Sequence, residues 1–414
     1  MRVAVIDHVG NHGGGSRVVR ALLPAIARAD PSIRLVYFGN PASMQREGLA
    51  AELAAAGVIS HPMVSLSMVS GAGSRILAKA ASLAQARLRQ ALPGLPHRIS
   101  GDVCREVERR VRGFDLAFFP WPFFMRPPSL GCPSVGIFHD LNFKYYFSGS
   151  DTFSPQQRAQ LESETAQWLR TAVPVVSSDF MASELRHFYP EAVHDVRRVN
   201  LPPLGGSEPM ATEQCDRIVS ALGICSQYML CPTHMCSHKN VGPLIVAQAR
   251  LKAQGRDLTL VLTGSGTDAL TGHATEIGVR LDRAGGDVIG LGYVSNEQIN
   301  ALVQRAAVVV NPSLYEAGNG PGMDAFGLGT PVAMSNIPAF TEHIDRQGMS
   351  AKIFDPRSPD DIAEKIAAIL DNPQQSLDDA SRNLTALGRL TWERTAGEYL
   401  SIFRDLVAVA RQPK

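Results

Sequence analysis

The stretch from Val308 to Ile344, VVVNPSLYEAGNGPGMDAFGLGTPVAMSNIPAFTEHI, constrains the fold more than any other part of this chain. Val308, Val309 and Val310 are apolar without alternation, the pattern of a parallel strand covered on both faces. Asn311, Pro312 and Ser313 end that strand. A loop then begins at Glu316 and carries Gly318, Gly320 and Gly322 around Pro321. Asp324 opens a short segment of helical character, and Thr330 to Met334 reads as a second short buried strand.

Glycines let backbone amides approach a ligand closely. A glycine loop that feeds a helix aims N–H groups and the positive end of the helix dipole at an anion. Glu316 and Asp324 bracket this loop, and a carboxylate is repelled by phosphate. The two acids therefore suit hydroxyl donors, while the amides suit phosphates. A nucleotide-sugar diphosphate offers both. The alternative is a surface loop whose glycines only make turns.

The run from Glu316 to Asp324 resembles the E-x7-E signature of the retaining GT-B glycosyltransferases of family 4, the glycosyl transferases group 1, and is mannosyltransferase-like. The usual form in that family is E-G-F-G-L-P-x-x-E, followed by A-x-x-x-G-x-P-V and then S-N. Glu316, Pro321, Gly329, Pro331, Val332, Ser335 and Asn336 match it. The second acid is Asp324 instead of Glu, and Gly318-Asn319-Gly320 replaces F-G-L with the spacing intact. The resemblance implies an α/β fold of GT-B architecture, two Rossmann-like domains facing each other across a cleft. It divides the chain into an acceptor-side domain at 1–203, a linker at 204–222, a nucleotide-sugar donor domain at 223–390, and a helix at 391–414 that crosses back to the first domain.

The bulk composition agrees with that division. A chain of 414 residues is long for one core and suits two domains. Hydrophobic content of 45% and charged content of 19% are those of a globular protein. No apolar run approaches the ~18 residues of a membrane span, and MRVAVIDHVG begins a strand without a secretory pattern. The expected setting is cytoplasmic, with the six cysteines as free thiols. Net charge is +1, but it is unevenly spread. Residues 1–200 hold 22 Lys/Arg and 16 Asp/Glu, and the remainder holds 18 and 23. Between Ser60 and Arg112 the count is 9 to 3, which points to an anionic partner of the first half.

In the first half, Arg2–Asp7 is a strand, residues 10–16 (GNHGGGS) a glycine loop and Arg17–Ala29 an amphipathic helix, the opening unit of a doubly wound domain. The glycines do not make a full dinucleotide fingerprint. By resemblance, Gly14, Gly15 and Arg17 lie toward the donor diphosphate; a strand-to-helix turn without ligand is the alternative. Residues 65–92 have a helical apolar repeat interleaved with Arg75, Lys79, Arg87 and Arg89. This is either an ordinary core-facing helix or, as part of a basic 75–112 region, a surface for an anionic membrane or lipid-linked acceptor. The strand at 133–139 ends in His139-Asp140. By resemblance His139 contacts the donor sugar, with Asp140 as the fallback base or orienting partner.

Residues 201–209 (LPPLGGSEP) form the best linker. The second half opens with a strand at Tyr228–Cys231 and the loop Pro232-Thr233-His234-Met235-Cys236-Ser237-His238-Lys239-Asn240. Cys231, His234, Cys236 and His238 are zinc-ligand types, but their spacing matches no structural zinc pattern. The expectation is therefore no metal. Family members end this loop in R-K-N or E-K-G, with the cations on the donor diphosphate. Lys239-Asn240 matches, and His234 or His238 stands where the arginine would be. By resemblance the catalytic set is His139, Glu316 and Lys239. The donor set is Gly14, Gly15, Arg17, His238, Gly264, Gly318, Asn319, Gly320 and Asp324. No cofactor, metal or nucleic acid is implied. The expected reaction moves a hexose, mannose from GDP-mannose foremost, onto a glycan or lipid-linked glycan in bacterial polysaccharide or glycolipid synthesis. A catalytically degenerate subunit that binds nucleotide-sugar is the second expectation.

Overall fold

Two wholly parallel sheets organise the chain. The computed structural model describes residues 1–8, 14–41, 44, 48–63, 98–145, 153–204, 209–270 and 287–412. The first sheet contains β1 (Arg2–Asp7), β2 (Arg34–Gly39), β3 (Ile59–Pro62), β4 (Leu116–Phe119), β5 (Ser134–Ile137), β6 (Val173–Val176) and β7 (Arg197–Arg198), in the order β3-β2-β1-β4-β5-β6-β7. The second contains β8 (Tyr228–Pro232), β9 (Thr259–Thr263), β10 (Val288–Gly290), β11 (Val308–Asn311), β12 (Val332–Ser335) and β13 (Lys352–Phe354), in the order β10-β9-β8-β11-β12-β13. Strand order reverses between β1 and β4 and again between β8 and β11. Crevices for ligands open beyond the carboxyl ends of strands at such points. This is the α/β class and the paired Rossmann-like architecture expected from the sequence.

Each central strand feeds two cores because successive side chains point to opposite faces. Val3 and Val5 enter one cluster and Ala4 and Ile6 the other. In the second domain Val309 goes to one face and Val308 and Val310 to the other. The unbroken apolar runs seen in the sequence are thus strands with helices on both sides. The strand β3 (ISHP) escaped the sequence reading because it is short, mostly exposed and ends in proline, as edge strands do.

The final helix, Trp392–Ala410, packs on the first domain. Tyr399 and Phe403 set their rings 5.6 and 5.4 Å from Phe118 of β4. Ala396, Leu400 and Val407 join the same cluster. Its start is tied to the interdomain chain: Thr395 Oγ1 donates to the Asn200 carbonyl at 3.0 Å and Trp392 Nε1 to that of Pro203 at 3.3 Å. The stretch 204–222 contains a helix, Thr212–Ala221, whose Cys215 and Val219 are buried in the second domain's core. Residues 205–208, within the proline- and glycine-rich linker, and residues 64–97, with most of the basic repeat, lie outside the described residues.

Two helix starts differ from the sequence reading. The first helix spans Gly14–Ala29, so Gly14 and Gly15 belong to its first turn and not to a loop; residues 9–13 of that loop lie outside the described residues. The helix after Glu316 spans Gly320–Gly327, four residues ahead of Asp324, with Pro321 in its first turn. Proline's fixed φ is already helical and its missing N–H costs nothing there. Two helices open on capping boxes: Ser154 with Gln157 and Ser295 with Gln298 close both reciprocal bonds.

One glycine sets how the second domain's first loop lies. Gly264 follows β9 with φ +117°, and a Cβ there would sit 1.6 Å from the Thr233 carbonyl oxygen. Gly255, at φ +81°, has nothing within 4 Å of such a Cβ. Gly255→Ala is expected to cost only the left-handed backbone term, about 1–2 kcal/mol. Gly264→Ala must also displace the loop and is expected to lower the thermal midpoint several times further. Equal losses for the two variants in thermal unfolding would contradict this close approach.

Candidate active site at the domain boundary

The loop after β8 and the loop after β11 leave neighbouring strands at the second sheet's reversal point, and they meet through an ion pair. Lys239 Nζ lies 2.5 Å from Glu316 Oε1. Ser313 Oγ donates to the same carboxylate oxygen at 2.6 Å. Burial opposes both charges, yet their mutual attraction prevails. Lys239 is held above the ordinary lysine range and Glu316 below the ordinary carboxylate range. Both groups are charged at neutral pH.

Backbone contacts fix the lysine's loop. Thr233 N–H donates to the Thr263 carbonyl at 2.8 Å and Met235 N–H to that of Ser265 at 3.0 Å. Asn240 adopts a left-handed φ of 54°. Its side-chain amide donates to the Pro312 carbonyl at 3.0 Å and the Pro356 carbonyl at 2.7 Å. The Leu314 N–H donates to the His238 carbonyl at 2.7 Å. The His238 ring is buried, and this desolvation, with the Lys239 charge, pushes its pKa down to about 4. It is neutral at physiological pH and adds no charge beside Lys239.

The first domain supplies the other wall. His139 Nε2–H donates to the Pro120 carbonyl at 2.8 Å, and its ring stacks on Trp121 with centroids 5.0 Å apart. Asp140 accepts the Asn142 N–H at 3.2 Å. Burial raises its pKa to about 6; the Asn142 bond opposes the rise, the Glu316 charge adds to it and Lys239 reduces it. Asp140 therefore shares an electrostatic environment with the Lys239–Glu316 pair across the domain boundary. Tyr315, just before Glu316, accepts the Leu141 N–H on its hydroxyl at 2.9 Å. Ser178 Oγ donates to the Ala317 carbonyl at 2.9 Å.

Other sequence candidates are placed differently. Arg17 and Asp324 bind each other at 2.9 Å, and the second Asp324 oxygen accepts the Leu204 N–H at 2.8 Å. This acid thus joins the first helix, the second domain and the crossing chain. Gly318 abuts Ser177 of the first domain and Gly320 abuts Leu204, with a Cβ at 3.6 and 3.9 Å from their side chains. The Asn319 side chain is buried against Met334 Sδ at 3.4 Å, which leaves its backbone as the part near the boundary. Gly264 acts through the loop it admits.

Two contributors had weak sequence signals. Tyr315 was legible only as a neighbour of Glu316. Glu342, in the helix Pro338–Gln347, accepts the N–H groups of Asp179 and Phe180 at 2.7 and 2.9 Å. Those groups open the first-domain helix Asp179–Phe188, and nothing in an amphipathic stretch marks a glutamate that caps a helix of another domain.

The arrangement holds a partly buried lysine, a carboxylate, a series of backbone amides and a second-domain helix start near a histidine and an aspartate of the first domain. The chemistry of such a set suits an anion on the cation and amides and hydroxyls on the carboxylates. Residues 226–372 match the family described as Glycosyl transferases group 1. The MMP α-(1→4)-mannosyltransferase of Mycolicibacterium hassiacum is 28% identical over 178 residues, 41% of each chain; the alignment thus spans about two-fifths of that relative's length. The O-antigen chain mannosyltransferase B of Escherichia coli is 24% identical over 302 residues, 72% of this chain and 76% of the relative. Among solved structures, Anabaena HepE in complex with UDP and glucose superposes with a TM-score of 0.67 at 15% identity, covering 98% of this chain and 100% of that one. WaaG, a glycosyltransferase involved in lipopolysaccharide biosynthesis, gives 0.65 at 12%, covering 97% and 99%. These likenesses show the GT-B fold.

The Asp140 carboxyl is expected to titrate near 6 in a carbon-13 NMR titration. Glu316→Gln, which removes a neighbouring negative charge, is expected to lower that midpoint, and Lys239→Met to raise it. The folded value lies above the ordinary 3.8, so the contribution of Asp140 to stability is complete below about 3.8 and fades as pH rises through about 6. A midpoint that ignores both substitutions would separate Asp140 from the pair.

Proposed function

We propose that the chain, whose residues 226–372 match the family described as Glycosyl transferases group 1, is a retaining family 4 glycosyltransferase moving a hexose from a nucleotide diphosphate-sugar to a hydroxyl of a glycan or lipid-linked glycan. The observation that carries this reading is the Lys239–Glu316 pair, held at the carboxyl ends of β8 and β11 beside Asp140 of the opposite domain. Mannose from GDP-mannose is the leading donor, supported by the two mannosyltransferase relatives. The UDP and glucose bound by HepE keep UDP-sugars as the next candidates. Bacterial polysaccharide or glycolipid synthesis is the setting that the O-antigen and lipopolysaccharide names support. No helix among the described residues is long and apolar enough to cross a membrane.

In this reading Lys239 leaves Glu316 for the donor's diphosphate. The amides of Gly318 to Gly320 and the start of the Gly320–Gly327 helix add donors to the leaving group, electrostatic stabilisation preorganised before the reaction. Glu316, released from the lysine, accepts from the sugar hydroxyls. His139, oriented by Pro120 and Trp121, lies against the sugar from the first domain. The acceptor hydroxyl attacks the anomeric carbon from the side of the leaving group. The anomeric C–O bond to phosphate breaks, the new C–O bond forms, and the acceptor proton passes to the departing phosphate oxygen. This exchange balances without a metal or other cofactor.

A second reading, a donor-binding subunit without transfer activity, draws on Arg17 and Asp324. The two are bonded to each other and thereby withdrawn from diphosphate and ribose. Incubation with labelled nucleotide-sugars and glycan acceptors separates the readings: binding without transfer or hydrolysis across all of them selects the second.

A thermal-shift series with GDP, UDP, ADP and dTDP tests the premise common to both. A ligand at ~100 times its dissociation constant adds about 2.7 kcal/mol, enough to raise the midpoint by several degrees. GDP is expected to give the largest rise, and Lys239→Met to remove most of it. No rise with any of the nucleotides would overturn the assignment.

A further inference from the structure

We infer that His234, Cys236 and His238 form a three-ligand site for a thiophilic divalent cation of the zinc class, with a fourth position left for water or an anion. The spacing of these residues argued against a metal, since no structural zinc pattern has it. The folded loop nevertheless brings one ligand atom from each within 4.8 Å of the other two. Cys236 Sγ lies 3.1 Å from His234 Nε2 and 3.3 Å from His238 Nδ1. Zinc bonds of about 2.3 Å to sulfur and 2.0–2.1 Å to nitrogen, set tetrahedrally, place S and N about 3.5 Å apart. The two sulfur–nitrogen separations are therefore within a few tenths of an ångström of that value, and the two imidazoles, within 4.8 Å of each other, close to about 3.3 Å around the ion.

The loop turns where this requires. The Cys236 N–H donates to the His234 carbonyl at 2.9 Å and the Lys239 N–H to the Cys236 carbonyl at 3.0 Å. These turns put side chains two residues apart onto one centre. The loop is anchored at Thr233, Met235 and Asn240 by the bonds already described, so the ligand set is ordered before an ion arrives. Cys231, the fourth ligand type in this stretch, is buried in β8 and stands outside the group. Two imidazoles and a thiolate favour zinc or cobalt over magnesium or calcium, which take oxygen ligands. Three protein ligands with an open position are the pattern of zinc sites that bind an exchangeable group.

The nearest opposing charge is the Lys239 ammonium. Its partner Glu316 balances it at 2.5 Å, and the thiolate balances half of the ion. Binding releases the Cys236 proton to solvent. The bound ion then leaves one net positive charge on the loop, next to the lysine. Its action on a pyrophosphate there rests on the glycosyl-transfer reading; the ion site itself does not.

Cobalt titration of the full chain, stripped with chelator, tests the site directly. A single equivalent is expected to develop a thiolate-to-cobalt charge-transfer band and the intense visible bands of tetrahedral cobalt, both displaced by zinc. Cys236→Ser is expected to abolish the charge-transfer band. Cys225→Ser, at an exposed thiol elsewhere, is expected to keep it. If Cys236→Ser fails to fold by circular dichroism, His234→Ala, at an exposed side chain, serves in its place and is expected to lose the tetrahedral bands. No charge-transfer band, or one that survives Cys236→Ser, overturns the site. GDP and UDP affinity of the stripped and zinc-loaded chain then tests the role. Tighter binding with zinc supports it, and unchanged binding overturns it. If neither form binds nucleotide, the glycosyl-transfer reading fails while the cobalt bands still decide the site.

Discussion

A lysine and a glutamate, both largely but not fully enclosed, are the interaction on which the second domain's working edge depends. Removing two such charges from solvent costs several kcal/mol each before their attraction offsets it. The pair therefore exists only if both loops arrive in register. Gly264 gives way to the Thr233 carbonyl so that the first loop can lie flat. Asn240 bridges to Pro312 and Pro356, and the His238 carbonyl receives the Leu314 N–H. These neutral bonds set the distance at which opposite charges meet, and the parallel strands β8 and β11 set the direction. A single shift of β8 against β11 would break all of them together.

The first domain contributes less charge and more shape. Its sheet ends in aromatic and carbonyl-rich loops, where Pro120 and Trp121 orient His139 and Asp140 takes up the electrostatic influence of the pair opposite. The boundary is stitched by hydrogen bonds between backbone and side chain, as at Leu141–Tyr315 and Ser178–Ala317. Bonds of this type are individually worth about 1 kcal/mol. They hold a relative position without locking it.

Much of this was legible in the amino-acid sequence, for a physical reason. Unbroken apolar runs such as Val308–Val310, bounded by turn residues, read as buried strands in an α/β chain, and Ser295 followed three residues later by Gln298 marks a helix start. The lysine was legible through the resemblance of Lys239-Asn240 to the end of the family's loop, and Glu316 through its place at the start of a glycine loop and the same resemblance. The partnerships were not. No local pattern says that Asp324 answers Arg17 and the Leu204 amide, because that contact is made by domain packing between residues about three hundred positions apart. The gathering of His234, Cys236 and His238 was hidden for the opposite reason. The three are close in sequence, but their convergence depends on turns that composition does not encode. The edge strand β3 was hidden because exposure removes the apolar alternation by which strands are recognised.

The Glu342 carboxylate has a consequence for motion. It satisfies the first amides of the Asp179–Phe188 helix from across the boundary, alongside the Ser178 hydroxyl, which accepts the Met181 N–H. Withdrawing the second domain removes the Glu342 carboxylate from that helix start and leaves two donors to water, a loss of about 1 kcal/mol when a cap is removed. Hinge opening and fraying of a secondary-structure element are thereby one coupled event. The helix end acts as a soft spring, and an amide-exchange experiment would read its looseness as a gauge of how often the two halves part.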